Sequence, residues 1–279
     1  MIVFLNGQYI SKEKAVISPD DRGFLFADGL YEVVRSYDGR LFKIDEHLDR
    51  LEYGARALRL SSIDFRYLKE VAGELIDRND SGSTDAVVYL QVTRGAAPRT
   101  HFFPPEDTPL TVYGFSKSFA PPTAEMEKGA AAILVPDQRW ARCDLKTVGL
   151  LLNAMAQQQA REQGALEAIF VRDGFVTEGT HTNAFAVVGG RIITYPATHH
   201  ILSGITRQVV LELCEQLDLP VDLRPVPASE IGRVDELFIT GTTVEVTPVV
   251  TLNGKPIGNA VPGPITRQLQ EAFRKMTAR

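Results

Sequence analysis

The residue whose surroundings first indicate chemistry is Lys146, in the stretch Trp140–Met155. No residue from Val148 to Met155 is charged, and a helix that is apolar around most of its circumference is usually buried. The pattern therefore predicts a core helix that begins directly after Lys146 and is capped by Thr147. A partly desolvated lysine at the positive end of a helix dipole is pushed toward its neutral form, which forms Schiff bases with carbonyl compounds. A lysine considered alone more often extends its ammonium group into water, so the hypothesis depends on other residues.

Three further segments have the chemistry of a phosphate site. Ser203-Gly204-Ile205-Thr206 sets a glycine and a hydroxyl at a predicted helix N-terminus, where free N–H groups favour an anion. Gly241-Thr242-Thr243 offers backbone and hydroxyl donors beside a strand end, and Arg50 can add a charge-assisted pair. Each alone has an ordinary explanation, as a helix cap, a turn or a solvated surface charge.

A carboxylate completes the set. The segment 176–183 closes a predicted strand with Glu178 and continues with hydroxyl side chains. Glu178 considered alone is best explained as an exposed turn residue. With the lysine and the phosphate segments it fits a cofactor that has a phosphate, an aldehyde and a basic ring nitrogen. Such a cofactor is pyridoxal 5′-phosphate, bound as a Schiff base with a carboxylate that keeps its ring nitrogen protonated.

The elements that must position these residues are mostly hairpins and helices. Asn6-Gly7 is a strong signal for a tight hairpin turn. Further hairpins are predicted around Asp38-Gly39, Asp173-Gly174, Gly189-Gly190 and Asn253-Gly254. Apolar periodicity predicts helices over 45–59, 65–77, 204–217 and 263–277, and strands over 86–92, 110–115, 130–135, 236–240 and 244–251. The segment 20–29 is too rich in glycine for regular structure. The chain is therefore of the α/β class (α+β type), without the regular alternation of a doubly wound sheet or a dinucleotide fingerprint.

The length of 279 residues allows two domains. Phe119-Ala120-Pro121-Pro122-Thr123 reads as a linker. We predict a smaller N-terminal α/β domain over 1–118, a linker over 119–125 and a larger C-terminal cofactor-binding domain over 126–279.

Composition excludes several classes of partner. The net charge is −5 with no basic stripe, which argues against nucleic-acid binding. No run of eighteen apolar residues indicates a membrane span, and no signal pattern opens the chain. No Cys/His cluster has the spacing of a zinc site. Cys143 and Cys214 are too far apart in sequence to form a disulfide framework, so we expect a reducing cytoplasm.

The motifs also occur together, and in the same order, in a known family. From Phe26-Ala27-Asp28-Gly29-Leu30-Tyr31-Glu32 to Val246-Thr247-Pro248, the chain resembles the class IV (fold type IV) pyridoxal-phosphate aminotransferases. Within that family it is most similar to the D-amino acid transaminases. The resemblance covers almost the whole chain and implies a two-domain fold rich in hairpins, with the cofactor at the domain interface.

The resemblance also implies roles for individual residues. Lys146 would form the aldimine with the cofactor and carry the proton between the substrate Cα and the cofactor C4′. Glu178 would pair with the ring nitrogen, and Leu202 would lie against the ring. The phosphate would be held by the residues that match the family's phosphate cradle: Arg50, Ile205, Thr206 and Thr242.

The long loop 94–109, which contains four prolines, carries the mark of the subfamily. The resemblance implies that Arg99 and His101, together with Tyr31, bind the substrate α-carboxylate. It also implies that Arg99 and His101 reach the site of the neighbouring subunit, which makes the protein a homodimer. In two places the chain departs from the family. Thr180-His181-Thr182 stands where serines are frequent, and Gly241 stands where a hydroxyl residue is common.

The resulting hypothesis is a ping-pong transamination between a D-amino acid (D-alanine, D-glutamate or D-aspartate) and a 2-oxo acid (pyruvate or 2-oxoglutarate). Alternatives with the same fold are branched-chain L-amino acid transaminase, (R)-amine transaminase and aminodeoxychorismate lyase. Arg99 and His101 argue against all three. An alternative of another class is a protein that binds the cofactor or a carboxylate without turnover. The combination of Lys146 and Glu178 argues against mere storage, which needs no partner for the ring nitrogen.

Overall fold

A computed structural model describes residues 1–60, 64–79, 82 and 85–278. The chain divides into two compact units. The first comprises Met1–Ala120 and Leu145–Gly149, and the second comprises Pro121–Asp144 and Leu150–Arg279. The short segment with Lys146 thus belongs to the first unit, although the chain on either side of it belongs to the second. The domain limits inferred from the sequence stay a prediction.

The first unit is built on a six-stranded antiparallel sheet with the strand order β2-β1-β6-β5-β3-β4. Its strands are Ile2–Leu5 (β1), Gln8–Ser11 (β2), Gly29–Tyr37 (β3), Arg40–Leu41 (β4), Ala86–Thr93 (β5) and Thr111–Ser118 (β6). Its helices are Arg22–Phe26 (α1), Ile44–Leu58 (α2) and Leu68–Arg78 (α3). The predicted apolar face of α2 is confirmed, because Leu48, Leu51 and Ala55 are buried in a core shared with β3 and β5. Burial of such side chains is the main favourable term in folding this unit.

The second unit contains a ten-stranded sheet with the order β12-β11-β10-β14-β15-β7-β8-β9-β13, and β16 pairs with β15. Its strands are Ala130–Pro136 (β7), Glu167–Arg172 (β8), Phe175–Gly179 (β9), Asn183–Val188 (β10), Arg191–Thr194 (β11), Val221–Leu223 (β12), Val226–Pro227 (β13), Glu236–Gly241 (β14), Glu245–Leu252 (β15) and Lys255–Pro256 (β16). Its helices are Thr123–Lys128 (α4), Leu151–Glu162 (α5), Ile205–Gln216 (α6) and Pro264–Thr277 (α7). One further pairing, Asn183 with Glu178, joins β10 to β9 and closes six of these strands into a ring.

The predicted hairpins are confirmed, and their turns have the expected backbone. At the first hairpin the φ angles are 47° for Asn6 and 85° for Gly7. Positive φ at both central positions matches the right-handed twist of the flanking strands, and Asn, Asp and Gly tolerate it best. The other four turn pairs have positive φ at both residues as well.

Two segments that were expected to be irregular contain short helices. Within 20–29, α1 forms because the Asp21 side chain accepts a hydrogen bond from Gly23 N, and the helix ends at Ala27 in the left-handed conformation. In the predicted linker, α4 begins at Thr123. Among the described residues, every helix is too short or too polar to span a membrane.

Candidate active site

Lys146 lies on an extended segment that pairs with β3. Leu30 and Thr147 form an antiparallel bridge, Tyr31 N donates to Lys146 O at 3.0 Å, and Val148 N donates to Gly29 O at 3.1 Å. In this register Tyr31 and Lys146 are opposite one another, so their side chains emerge on the same face. The Lys146 Nζ is 4.2 Å from the centroid of the Tyr31 ring, which is a cation–π distance. Two residues assigned to the site from the sequence are therefore adjacent.

The prediction that a buried helix begins directly after Lys146 is wrong. Helix α5 begins at Leu151, Leu150 is its N-cap, and no side chain caps it. Only Ala156 and Ala160 of this helix are buried, while Leu151 is 73% and Met155 59% exposed. The residues before the helix are in the extended pairing with β3 instead, so the helix dipole does not explain the chemistry of Lys146.

Arg50 is oriented by a buried carboxylate that the sequence argument did not single out. Glu32, on β3, is fully buried and accepts Arg50 Nε at 2.8 Å and Arg50 Nη2 at 2.7 Å. Its Oε2 is also 2.7 Å from Nδ1 of the buried His47. Burial alone would raise the pKa of Glu32, but the charge of Arg50 and then that of His47 hold this pKa well below its usual range. An ionised carboxylate only accepts hydrogen bonds, so His47 Nδ1 carries the proton. Arg50 is thus positioned through a two-point contact.

Arg99 and His101 lie together in the loop between β5 and β6. The guanidinium carbon of Arg99 is 5.2 Å from the centroid of the Phe26 ring. The His101 ring meets Phe26 edge-on, with 6.0 Å between centroids. Both Arg99 and His101 are exposed within the chain. The loop therefore presents a cation and an imidazole side by side.

Glu178, on β9 of the second unit, is buried where the strand ring closes. Its Oε2 accepts Leu202 N at 2.9 Å and Asn183 Nδ2 at 3.3 Å, and its Oε1 accepts Arg139 Nη1 at 2.8 Å. Burial raises the pKa of Glu178 to about 7, against the lowering effect of Arg139. The exposed-turn explanation of Glu178 is wrong, since only 4% of this residue is exposed.

Arg139 is a residue of this site that the sequence argument missed. Its Nε and Nη2 each donate to Asp137 at 2.9 Å, and its guanidinium lies 4.1 Å from the centroid of Phe170. Arg172 Nε donates to the same Asp137 at 3.1 Å. Burial alone would lower the pKa of Arg139. The hydrogen bond to Asp137 and the charge of Glu178 outweigh this effect and raise the pKa above its usual value, so the guanidinium stays charged. No local pattern marks these residues, because the contacts join two separate strands and a loop.

The loop Thr180-His181-Thr182 is organised by another buried carboxylate. Glu167, on β8, accepts Thr180 Oγ1 at 2.6 Å, Thr180 N at 3.0 Å and Thr182 Oγ1 at 2.7 Å. His181 Nδ1 is 3.3 Å from the same carboxylate. Both threonine hydroxyls are thus engaged within the protein, which gives them a structural task.

The candidate phosphate residues of the second unit lie at the start of α6 and in the turn after β14. Helix α6 begins at Ile205, and Gly204 is its N-cap without a side-chain acceptor. A Cβ on Gly204 would lie 2.2 Å from Asn183 Oδ1, so a larger residue at this cap would displace the Asn183 amide. Thr206 is buried in the first turn, and Thr242 is half-buried. The buried hydroxyl of Thr240, two residues before Thr242, has no hydrogen-bond partner within the described ranges.

Known proteins resemble this chain along nearly its full length. The family described as Amino-transferase class IV matches residues 29–252. A D-alanine aminotransferase of Bacillus licheniformis is 43% identical over 276 residues, which covers 98% of this chain and 96% of that protein. A D-alanine aminotransferase of Staphylococcus aureus (strain MSSA476) is 39% identical over 274 residues, with the same two coverages of 98% and 96%.

Solved structures share the fold. The branched-chain amino acid aminotransferase of Escherichia coli has a TM-score of 0.91 at 25% identity, covering 99% of this chain and 94% of that one. A hypothetical aminotransferase of Mycobacterium tuberculosis in its PLP-bound form has a TM-score of 0.84 at 21% identity, covering 99% of this chain and 100% of that one. Because the family pattern spans most of the sequence and close relatives match nearly all of it, the chain belongs to the class IV aminotransferases, which are pyridoxal 5′-phosphate enzymes.

Proposed function

We propose that the chain is a D-amino acid transaminase. It moves the amino group of D-alanine, D-glutamate or D-aspartate to pyruvate or 2-oxoglutarate in two half-reactions. The observation that carries the proposal is the loop 94–109, in which Arg99 and His101 lie together against Phe26. A planar guanidinium beside an imidazole is well suited to a carboxylate. The full-length similarity to two D-alanine aminotransferases supports the same class of substrate.

The residues of each unit fit pyridoxal 5′-phosphate. The half-buried amine of Lys146 beside Tyr31 suits the aldehyde. The buried carboxylate of Glu178 suits a protonated ring nitrogen. The glycine cap of α6 and the buried Thr206 suit a phosphate, because first-turn N–H groups favour an anion. When bound, the cofactor supplies an aldehyde carbon and an electron-accepting ring.

The protein side chains would then move protons and hold charges. Lys146 Nζ would take the proton from the substrate Cα and later return one. Glu178 would hold the proton on the ring nitrogen, and Arg139, which donates to Glu178, would fix the position of that carboxylate. Leu202, whose backbone N–H donates to Glu178, would lie against the ring of the bound cofactor. The phosphate would be bound by Arg50, Ile205, Thr206 and Thr242. The contact of Arg50 with Glu32 supports this role, because it fixes the guanidinium before the phosphate arrives.

Substrate recognition would involve Tyr31, Arg99 and His101. The resemblance to the D-amino acid transaminases implies that the α-carboxylate bound by this set would lie on the side of the pocket from which only a D-amino acid points its Cα–H bond at Lys146. The test is to follow pyruvate formation from each alanine enantiomer with 2-oxoglutarate as the acceptor. We expect D-alanine to react and L-alanine not to react. Faster turnover of L-leucine than of any D-amino acid would instead support branched-chain transamination, which the similarity to the Escherichia coli enzyme leaves as the second candidate.

We also propose that the protein is a homodimer in which Arg99 and His101 act in the neighbouring subunit's site. The large apolar side chain of Phe102, directly after His101, supports a subunit interface at this loop, since it is 74% exposed within the chain. Mixing Lys146→Ala with Arg99→Ala chains tests the arrangement. If Arg99 acts across the interface, mixed dimers contain one site with both residues intact, and activity returns. If Arg99 acts within its own chain, every site of the mixed dimer lacks one residue, and activity stays low.

The domain limits and the compartment are further proposals. The limits 1–118 and 126–279 are supported by the division of the chain at Ala120. A reducing cytoplasm is supported by Cys143 and Cys214, which are both free and buried. Limited proteolysis that cuts first within 119–125 would support the linker, and cuts elsewhere would contradict it.

A further inference from the structure

The base of the substrate loop is hydrogen-bonded to the segment that contains α1. Arg22 N donates to Gly95 O at 2.9 Å, Arg94 N donates to Asp28 O at 3.1 Å, and Ala97 N donates to Asp20 O at 3.2 Å. Gly95 has a φ of +81°, and a Cβ there would lie 1.9 Å from Pro109 O. The loop therefore leaves the sheet along a fixed path against α1.

A buried charge cluster fixes the middle of the same loop. Asp28 accepts Arg22 Nε at 2.9 Å, Arg94 Nε at 2.7 Å and Arg94 Nη2 at 3.0 Å. The side chains of the three residues are 10% exposed or less. Arg22 Nη1 also donates to Thr100 O at 2.9 Å. Because Thr100 stands between Arg99 and His101, Arg22 holds the backbone at the centre of the substrate-binding pair.

Phe26, in the last turn of α1, contacts both members of that pair. The Arg99 guanidinium lies over its ring, the His101 ring meets it edge-on, and the Arg22 guanidinium lies 4.5 Å from its centroid. The face of an aromatic ring attracts cations through its quadrupole. A free arginine side chain adopts many rotamers, and part of this freedom must be lost when it binds a carboxylate. A ring that already holds the guanidinium reduces that loss.

We infer that Phe26 is a positioning residue for substrate recognition, which holds Arg99 and His101 in the orientation that binds the α-carboxylate. Arg22 and Asp28 support it by fixing the loop backbone at Thr100. The inference rests on the proposed function of Arg99 and His101, and it gives the Phe26-Ala27-Asp28 part of the family motif a task. Phe26 acts through its neighbours, so it should affect substrate affinity and leave the rate of the chemical step nearly unchanged.

The test compares Phe26→Leu, Phe26→Tyr and the matched control Phe24→Leu in the cofactor-loaded enzyme. Phe24 is on the same short helix, and its side chain points to solvent within the chain. Loss of one cation–π contact should raise the KM for D-alanine about 2- to 30-fold in Phe26→Leu. The kcat should stay within about twofold, and Phe26→Tyr, which keeps the aromatic face, should retain the parental KM. Phe24→Leu should also match the parent.

A double-mutant cycle separates this inference from the function on which it rests. In an Arg99→Ala background, Phe26→Leu should raise the KM by a smaller factor than in the parent, because the Arg99 contact is already absent and only the contact with His101 remains to be lost. A parental KM in Phe26→Leu, an equal rise in Phe24→Leu, or an undiminished effect in the Arg99→Ala background would overturn the role of Phe26 alone. A parental KM in Arg99→Ala itself would refute the proposed function of Arg99, and the role of Phe26 with it.

Discussion

The contact of Arg139 with Glu178 leads to a prediction about ionisation. Arg139 Nη1 donates to the buried Glu178 carboxylate at 2.8 Å, and burial raises the pKa of that carboxyl to about 7. Substituting methionine for Arg139 removes this donor and its charge while keeping much of the apolar contact with Phe170. We expect the pKa of Glu178 to rise further in Arg139→Met, because the ionised form loses a charge-assisted hydrogen bond.

The size of the effect follows from the geometry. A hydrogen bond to a charged group contributes about 1.5–3 kcal/mol, which corresponds to roughly one to two pKa units. The pKa of Glu178 should therefore move from about 7 to roughly 8–9. A carboxyl whose pKa is raised on folding binds protons more tightly in the folded state. The free energy of unfolding therefore falls as the pH rises from the unfolded pKa to the folded pKa. For the parent protein, the ionisation of Glu178 should lower the free energy of unfolding by about 3 kcal/mol between pH 4.5 and 7. In Arg139→Met the decline should continue to about pH 8–9.

The assay is a pH titration of the Glu178 carboxyl by carbon-13 NMR in cofactor-free protein, with the resonance assigned from its absence in Glu178→Gln. Urea unfolding at pH 5, 7 and 9 gives the free energy of unfolding independently. Arg142→Met is the matched control, because Arg142 is three residues away and pairs with the more exposed Asp144 at 2.8 Å. An unchanged pKa of Glu178 in Arg139→Met would refute the reasoning, as would an equal shift in Arg142→Met.

Three further predictions concern the proposed residues directly. Borohydride reduction of the cofactor-loaded enzyme followed by peptide mapping should label Lys146, and label on another lysine would disprove its role. Glu178→Ala should lower kcat about 100- to 1000-fold, as removal of a charge-stabilising group does in other enzymes, while the protein still binds the cofactor. Parental turnover would exclude the ring-nitrogen role. Glu32→Gln should lower the free energy of unfolding by about 3–5 kcal/mol, because it removes the charge of a fully buried carboxylate that pairs with Arg50, whose side chain is 10% exposed. Urea unfolding measures that loss, and cofactor affinity should fall with it.

The hairpins were predictable because their causes are local. The turn at Asp173-Gly174 requires two residues that tolerate positive φ. Asp and Gly have this property irrespective of the rest of the chain. The same holds for the apolar face of α2, where Leu48 and Leu51 recur at helical spacing. Lys146 and Tyr31 were singled out through motifs, and the pairing with β3 explains their proximity.

The start of α5 and the buried charges were not predictable in this way. The apolar run after Lys146 is compatible with a helix, but hydrogen bonds from Tyr31 N and Val148 N keep the segment before Leu151 extended. Glutamate is usually a surface residue, but Glu32 and Glu167 are buried because side chains distant in sequence donate hydrogen bonds to their carboxylates. Such contacts leave no periodic trace, so residue types alone do not reveal them.

The pairing of Lys146 with β3 restricts how the length of this part of the chain can vary. Side chains alternate between the two faces of an extended segment, so removing or adding one residue next to Lys146 would turn it away from Tyr31. Substitutions that keep the register change the surroundings of the amine without displacing it. Library designs for this enzyme should therefore keep Lys146 and vary its neighbours between Leu145 and Gly149 at constant length, and place insertions in loops away from the pairing.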